Sequence, residues 1–130
     1  DVAVMSCVLS YMPRPELRAG AVAKALQLLA APGLLLIVDT FTVERRSGGL
    51  HPGSVLPEWR RAIEAMGARF LRYELLHNSH ALAFASLGPA DDDAFEEGRP
   101  LPPLRVRLEA DMDLARQRRT MRRAQAAAPS

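Results

Sequence analysis

Apolar positions along the chain fall into runs of two different periods. Asp1 to Leu9 carries Val2, Val4, Met5, Val8 and Leu9, interrupted only by small Ser6 and Cys7, and this β-branched-rich run predicts a strand. Pro15 then opens a predicted helix, because its fixed φ suits a first helical position where a missing N–H costs nothing, and Glu16 follows in the first turn. Val22, Ala25, Leu26 and Leu29 recur at helical spacing and make one apolar face. Pro32-Gly33 is expected to end that helix, with Gly33 in the left-handed conformation of a C-terminal cap. Leu34 to Val38 is uninterrupted Leu, Leu, Leu, Ile, Val, the pattern of a parallel strand buried on both faces. The unit is a βαβ.

The same reasoning continues downstream. Thr40 to Val55 is a long polar loop with Arg45, Arg46, Gly48, Gly49, His51, Pro52 and Gly53. A second helix is expected over Leu56 to Met66, with Trp59, Ala62, Ile63 and Met66 inward and Gly67 as its cap. Phe70 to Leu76 alternates, Leu71, Tyr73 and Leu75 opposing Arg72 and Glu74, as in a half-exposed strand near a sheet edge. His77 to His80 reads as a short polar turn, and Ala81 to Leu87 as an apolar strand, so the two strands form an antiparallel hairpin. Gly88-Pro89 closes this α/β unit, residues 1–89. Residues 90–103 read as an acidic, proline-bearing linker without periodicity, expected to be disordered. Residues 104–130 read as a flexible, charged tail, either a solvated helix over Leu104 to Ala128 or disordered chain.

Composition narrows the class. With 130 residues, 48% of them hydrophobic, the chain suffices for one domain with a real core. The net charge of +2 is too small to argue for nucleic acid, although acidic Asp91, Asp92, Asp93, Glu96 and Glu97 are segregated from basic Arg116, Arg118, Arg119, Arg122 and Arg123. Cys7 is the single cysteine, so no internal disulfide can form and a reducing compartment is expected. No run is long enough to span a bilayer, and no membrane partner is expected. The chain opens on Asp1, without methionine, directly into a buried-type strand, the pattern of a piece of a longer protein. Such a piece would leave its first strand with an unpaired edge and is expected to aggregate or fold loosely alone.

Parallel strands, crossover helices and a closing hairpin resemble the carboxyl half of the class I S-adenosylmethionine-dependent methyltransferase fold, a Rossmann-like sheet whose last strand runs antiparallel. DVAVMSCVLSYMP (Asp1 to Pro13) looks like that family's fourth strand and following loop, and LAAPGLLLIV (Leu29 to Val38) like its fifth. A narrower similarity lies in LSYMPRPELR, GLLLIVDT, PEWRRAIEAMGARF and HNSHALAFAS. Together they resemble the branch holding an S-adenosylmethionine sensor that acts upstream of the TOR kinase complex and the fungal large-subunit rRNA adenine-N1 methyltransferases. The tryptophan-bearing helix and the His-x-x-His preceding an Ala-Phe strand fit the sensor side better. The similarity covers residues 1 to about 88. The family's glycine-rich turn and ribose-binding acid have no counterpart here, since no G-x-G follows any strand, so the chain by itself is expected to bind the ligand poorly or not at all.

The resemblance implies site residues on one rim, because ligands of open α/β sheets lie outside the carboxyl ends of strands. It implies that Ser6 and Cys7 contact the methionine part of S-adenosyl-L-methionine; packing against a neighbouring strand is the alternative for Ser6, and a buried apolar role is the simpler one for Cys7. Ser10 and Tyr11 stand where related enzymes place acceptor-contacting groups, but the carboxamide of the rRNA enzymes is missing. Tyr11 there either stacks on a planar acceptor or caps the core. Asp39 is a candidate base or cation-binding carboxylate, with local amide hydrogen bonding as the simpler alternative. His77 and His80 lack a third ligand and are expected to be solvated rather than metal-binding. Trp59 is simplest as core, and His51 has no assigned role.

Three functions stay open on this evidence: a sensor whose occupancy is reported to TOR-pathway regulatory complexes, a methyltransferase acting on RNA adenine or a small molecule, and an interaction module that no longer binds ligand. An RNA enzyme would need a basic face, for which Arg14, Arg18, Arg45 and Arg46 are the candidates near the rim. The sensor implies a cytoplasmic protein, the rRNA enzyme a nucleolar one.

Overall fold

The computed structural model describes residues 1–87 and 100–128, so the Gly88-Pro89 boundary and most of the expected acidic linker lie outside the described residues. Strand β1 (Val2–Ser6) is followed by a single 3-10 turn at Leu9–Tyr11 and then by helix α1 (Pro15–Leu28). Pro15 occupies the start of α1, and Glu16 sits in its first turn. The helix stops ahead of Pro32, whose ring drives the preceding residue away from helical geometry. Gly33 opens strand β2 (Gly33–Thr40) and does not take a positive φ, so the expected left-handed cap is absent. Its small size has another cause: a Cβ there would lie 2.8 Å from the Ala30 carbonyl oxygen. Helix α2 (Leu56–Ala65) buries Trp59, Ala62 and Ile63, and Gly67 behind it does adopt a positive φ, 95°.

Strands β3 (Ala68–Leu75) and β4 (Ser79–Ser86) form the hairpin, each beginning two residues earlier than the apolar pattern suggests. The turn is thereby shortened, closed by Leu76 N–H donating to the Ser79 carbonyl (2.8 Å), and His80 belongs to β4. The sheet order is β1-β2-β4-β3: β1 is parallel to β2, and β4 is antiparallel to both its neighbours. A bulge between Phe70 and Arg72 shifts the register of β3, which is why Leu71 and Tyr73 do not share one environment. This is a mixed, open α/β sheet.

Register assigns residues to two faces. Leu35, Ile37, Leu82 and Phe84 point into the core shared with Val22 and Leu26 of α1 and Trp59 and Ile63 of α2. Their strand neighbours Leu34, Leu36, Val38, Ala81, Ala83 and Ala85 stay only partly buried, and Val2 and Val4 are exposed. The run at Leu34–Val38, expected to be buried on both faces, is therefore covered on one face by the described residues. Both helices pack on that side.

The stretch expected as a flexible tail is docked at its start. Leu104, Val106 and Ala110 are buried in the main core, and helix α3 runs over Arg107–Ala127. Trp59 Nε1–H donates to the Arg105 carbonyl (2.8 Å), and Arg107 N–H donates to the Val43 carbonyl (2.7 Å). Arg105 pairs with Glu58 at 2.6 Å and with Asp113 at 3.1 Å. Beyond Asp113 the helix is exposed.

Candidate functional site

The carboxyl ends of the parallel pair form a rim built mostly from backbone turns. At the end of β1, Cys7 adopts φ 55°, a left-handed conformation uncommon for a residue with a side chain. Its N–H donates to the Val38 carbonyl at 2.8 Å, so the chain stays fastened to β2 while it reverses. Ser6 is exposed and lies in register with Val38 on the uncovered face, and Cys7 is half-buried. In the turn that follows, Leu9 is buried, Ser10 half-buried and Tyr11 86% exposed. Tyr11 therefore does not cap the core.

Asp39 at the end of β2 is only 2% exposed. One carboxylate oxygen accepts the Ser10 N–H (3.1 Å), and the other accepts the Thr40 N–H (2.8 Å). The structure thus brings Ser10 and Asp39 together, with Cys7 on the same rim, and leaves the Tyr11 side chain outside this contact. Both oxygens of Asp39 serve backbone amides, which fixes the loops leaving β1 and β2 against each other.

Three further polar groups crowd this end of the sheet. Arg18, counted among the basic candidates for the rim, is 3% exposed and so contributes to no basic face. Its Nε–H donates to the Leu9 carbonyl (3.1 Å) and one Nη to the Met12 carbonyl (2.8 Å). The other Nη reaches the Leu104 carbonyl (2.9 Å) and the Glu109 carboxylate (2.5 Å). Glu109 also accepts the Val106 N–H (2.8 Å), capping α3, where a carboxylate suits the helix dipole.

Glu44, 2% exposed, accepts the Arg45 and Val55 N–H groups (2.8 and 2.7 Å) and faces Arg107 at 3.4 Å. The carboxylate fits because residue 48 is glycine: a Cβ there would sit 2.5 Å from Glu44 Cγ. Arg107 also donates to the Gly53 carbonyl at 2.6 Å.

His80 corrects the expectation of a solvated histidine. It is 1% exposed, its Nε2 pairs with the Glu44 carbonyl (2.9 Å), and its Nδ1 pairs with the Tyr73 hydroxyl (2.7 Å). A carbonyl only accepts, so Nε2 carries the proton, and in the neutral ring Nδ1 accepts from Tyr73. Burial raises the Tyr73 hydroxyl pKa above its ordinary value, partly opposed by the Arg46 charge. His77 is exposed, and its carbonyl accepts from Arg46 (2.8 Å). Trp59 is fully buried core. Among the described residues no group of three His, Cys, Asp or Glu side chains is placed to hold a metal ion, and no helix is long and apolar enough to cross a membrane.

Comparison with known proteins bears on this rim. No family model matches the chain. It is 35% identical over 88 residues to a zebrafish (Danio rerio) protein named "S-adenosylmethionine sensor upstream of mTORC1", covering 68% of this chain and 21% of that protein. Proteins of the same name from Xenopus tropicalis and Xenopus laevis are each 34% identical over 83 residues, covering 64% of this chain and 20% of theirs. The chain spans about a fifth of the length of the curated relatives it matches.

Glu44, Arg107 and Glu109 are absent from the sequence-level candidates, and Arg18 is among them only as a surface cation, not as a buried clamp. One signal was present for Arg18: it lies four residues before Val22 and eight before Leu26, on the apolar side of α1. Arg107 and Glu109 stand in a charged stretch whose composition reads as solvent-facing, and nothing local marks them otherwise.

Proposed function

We propose that the protein carrying this chain binds S-adenosyl-L-methionine at the carboxyl rim of β1 and β2 and serves as a methyltransferase-like sensor of that ligand for TOR-pathway regulatory complexes, in the cytoplasm. The observation that carries this reading is the similarity to proteins named as such sensors. The rim supports it. A non-glycine residue held at positive φ marks a backbone shaped for something other than strand continuation, and small Ser6 and Cys7 leave room beside it. These residues fit one part of the ligand, its methionine end; they offer no glycine-rich cradle for the rest. Asp39 favours sensing over proton-accepting chemistry, because its oxygens already hold two amides.

When bound, the ligand supplies an electrophilic methyl group, so an enzyme of this kind needs mainly positioning and exclusion of water from the protein. The second reading is therefore a methyltransferase acting on rRNA adenine or a small acceptor, favoured by one feature. Tyr11 projects into solvent at the loop after β1, free to stack on a planar ring, with Ser10 and Asp39 beside it.

Calorimetric titration of S-adenosylmethionine into the full-length natural protein, followed by an assay for S-adenosylhomocysteine with and without total RNA, separates these readings. Binding without turnover is the expected result. RNA-dependent turnover would replace the sensor by the enzyme, and absence of binding would leave an interaction module.

A further inference from the structure

Both loops that leave the rim are tied to the first turn of α3, and by different side chains. The turn after β1 is held through Arg18, whose guanidinium takes the Leu9 and Met12 carbonyls on one side and Leu104 and Glu109 on the other. The loop after β2 is held through Glu44, which meets Arg107, and through the Val43 carbonyl, which accepts Arg107 N–H. Two residues of α3 thus reach both loops: Arg107 contacts the loop after β2 directly, and Glu109 reaches the turn after β1 through Arg18.

The guanidinium makes this a rigid connection. Its donors are fixed in one plane, so the Leu9 and Met12 carbonyls cannot move without turning the donors that face Leu104 and Glu109. The group is almost wholly buried, so a broken contact is not replaced by water and costs the desolvation of a charged donor. The turn is clamped from the opposite side as well, by Asp39 on the Ser10 N–H. A ligand that stiffens the turn in this position holds the carbonyls and the amide that both clamps use, and so reinforces them. We propose that Arg18 and Glu109 are positioning residues that couple the Leu9–Met12 turn to the base of α3, so that ligand occupancy at the rim and docking of Leu104–Ala110 stabilise each other. This rests on the S-adenosylmethionine reading above and names its regulation: α3, exposed beyond Asp113, is the element through which occupancy is communicated outward.

Coupling of this kind is reciprocal, since what the ligand does to the helix the helix does to the ligand by the same factor. The test uses the full-length natural protein, with hydrogen exchange over residues 104–112 followed with and without S-adenosylmethionine, and affinity measured by calorimetry. Ligand is expected to slow exchange over 104–112, and E109A is expected to weaken binding by about fivefold or more, with E109Q, which keeps an acceptor oxygen, recovering most of it. R107M reports on the second tie and is expected to weaken binding in the same direction. E64A removes the exposed Arg60–Glu64 pair on α2, away from both the rim and α3, and leaves affinity unchanged; equal loss in E64A and E109A would reduce Glu109 to a general structural role and overturn the coupling. Wild-type binding with unchanged exchange, or E109A and R107M both within about twofold of wild type, would also overturn it while leaving the ligand assignment intact. No wild-type binding in the calorimeter would remove the ligand assignment and the coupling with it, a failure visible before any variant is made.

Discussion

The two faces of the sheet are built from nearly the same residue types and have different surroundings. On one, Leu35, Ile37, Leu82 and Phe84 are packed under α1 and α2; on the other, Leu34, Leu36, Val38 and three alanines remain half-covered, beside exposed Val2 and Val4. Strand β2 contributes to both with one unbroken apolar run. Hydropathy therefore reports that a strand lies within a sheet, and what covers each face is decided by where the helices fall. In this chain α1 and α2 fall on the same side.

The comparison can be broken most sharply by truncating matched positions. Phe84→Ala removes a fully buried ring that packs edge-on against Phe70 with centroids 5.6 Å apart. It is expected to cost about 4 kcal/mol in urea unfolding, the usual range for a large aromatic cut from a core. Leu36→Ala, on the half-covered face, is expected to cost about 1 kcal/mol, because part of its area is already in contact with water. Equal losses at the two positions would mean that the second face is also packed.

Next in size is Arg18→Met. It keeps an unbranched apolar stem and deletes the buried charge, stranding the Leu9, Met12 and Leu104 carbonyls and the Glu109 carboxylate. A loss of about 3 kcal/mol in the same assay is expected, with added salt changing it little because the guanidinium itself is buried. A loss below about 1 kcal/mol would place Arg18 among the weak surface charges.

A smaller effect depends on pH. Burial raises the Tyr73 pKa above the ordinary 10.0. The unfolded chain therefore deprotonates first as pH rises, and the stabilisation of the neutral hydroxyl is complete below about pH 10 and is lost on going above it. Tyr73→Phe should flatten that alkaline limb of the stability profile while costing about 1 kcal/mol near neutrality through the lost His80 hydrogen bond. An unchanged alkaline limb in the variant would assign the titration to another group.

The smallest effect is expected at Val4, 60% exposed on β1. Val4→Thr should alter stability by less than about 0.5 kcal/mol yet reduce binding of a hydrophobic dye to the chain, since it interrupts the open apolar face. Undiminished dye binding would locate the exposed apolar surface elsewhere.

Much of the framework was legible because it is written in local periodicity. The strand at Val2–Ser6, the helix from Pro15, the inward set Trp59, Ala62, Ile63 and Met66, and the hairpin follow from spacing and from proline and glycine chemistry. What escaped was set by contacts distant in sequence. His80 looks like a turn residue until β4 is extended to Ser79 and Tyr73 is shifted by the bulge to meet it. Glu44 becomes a buried ligand of backbone amides only because Gly48 makes space and Arg107 arrives from far along the chain. At the rim, Cys7 and Ser10 became candidates through the family resemblance and Asp39 through its place at a strand's carboxyl end, but the occupation of Asp39 by two amides depends on the fold of the turn opposite.

The position of β4 has a consequence for the order of events in folding. It is the only strand of the described sheet bonded to partners on both sides whose contacts differ so widely in chain separation. Its pairing with β3 closes a loop of three residues, Leu76 to Asn78, whereas its pairing with β2 spans the long polar loop, α2 and β3. Loop closure favours the near pairing first, so the hairpin is the natural nucleus and β2 docks on it later. Substitutions in the hairpin should then slow folding, whereas those at Leu104–Ala110, which attach after the sheet exists, should chiefly hasten unfolding.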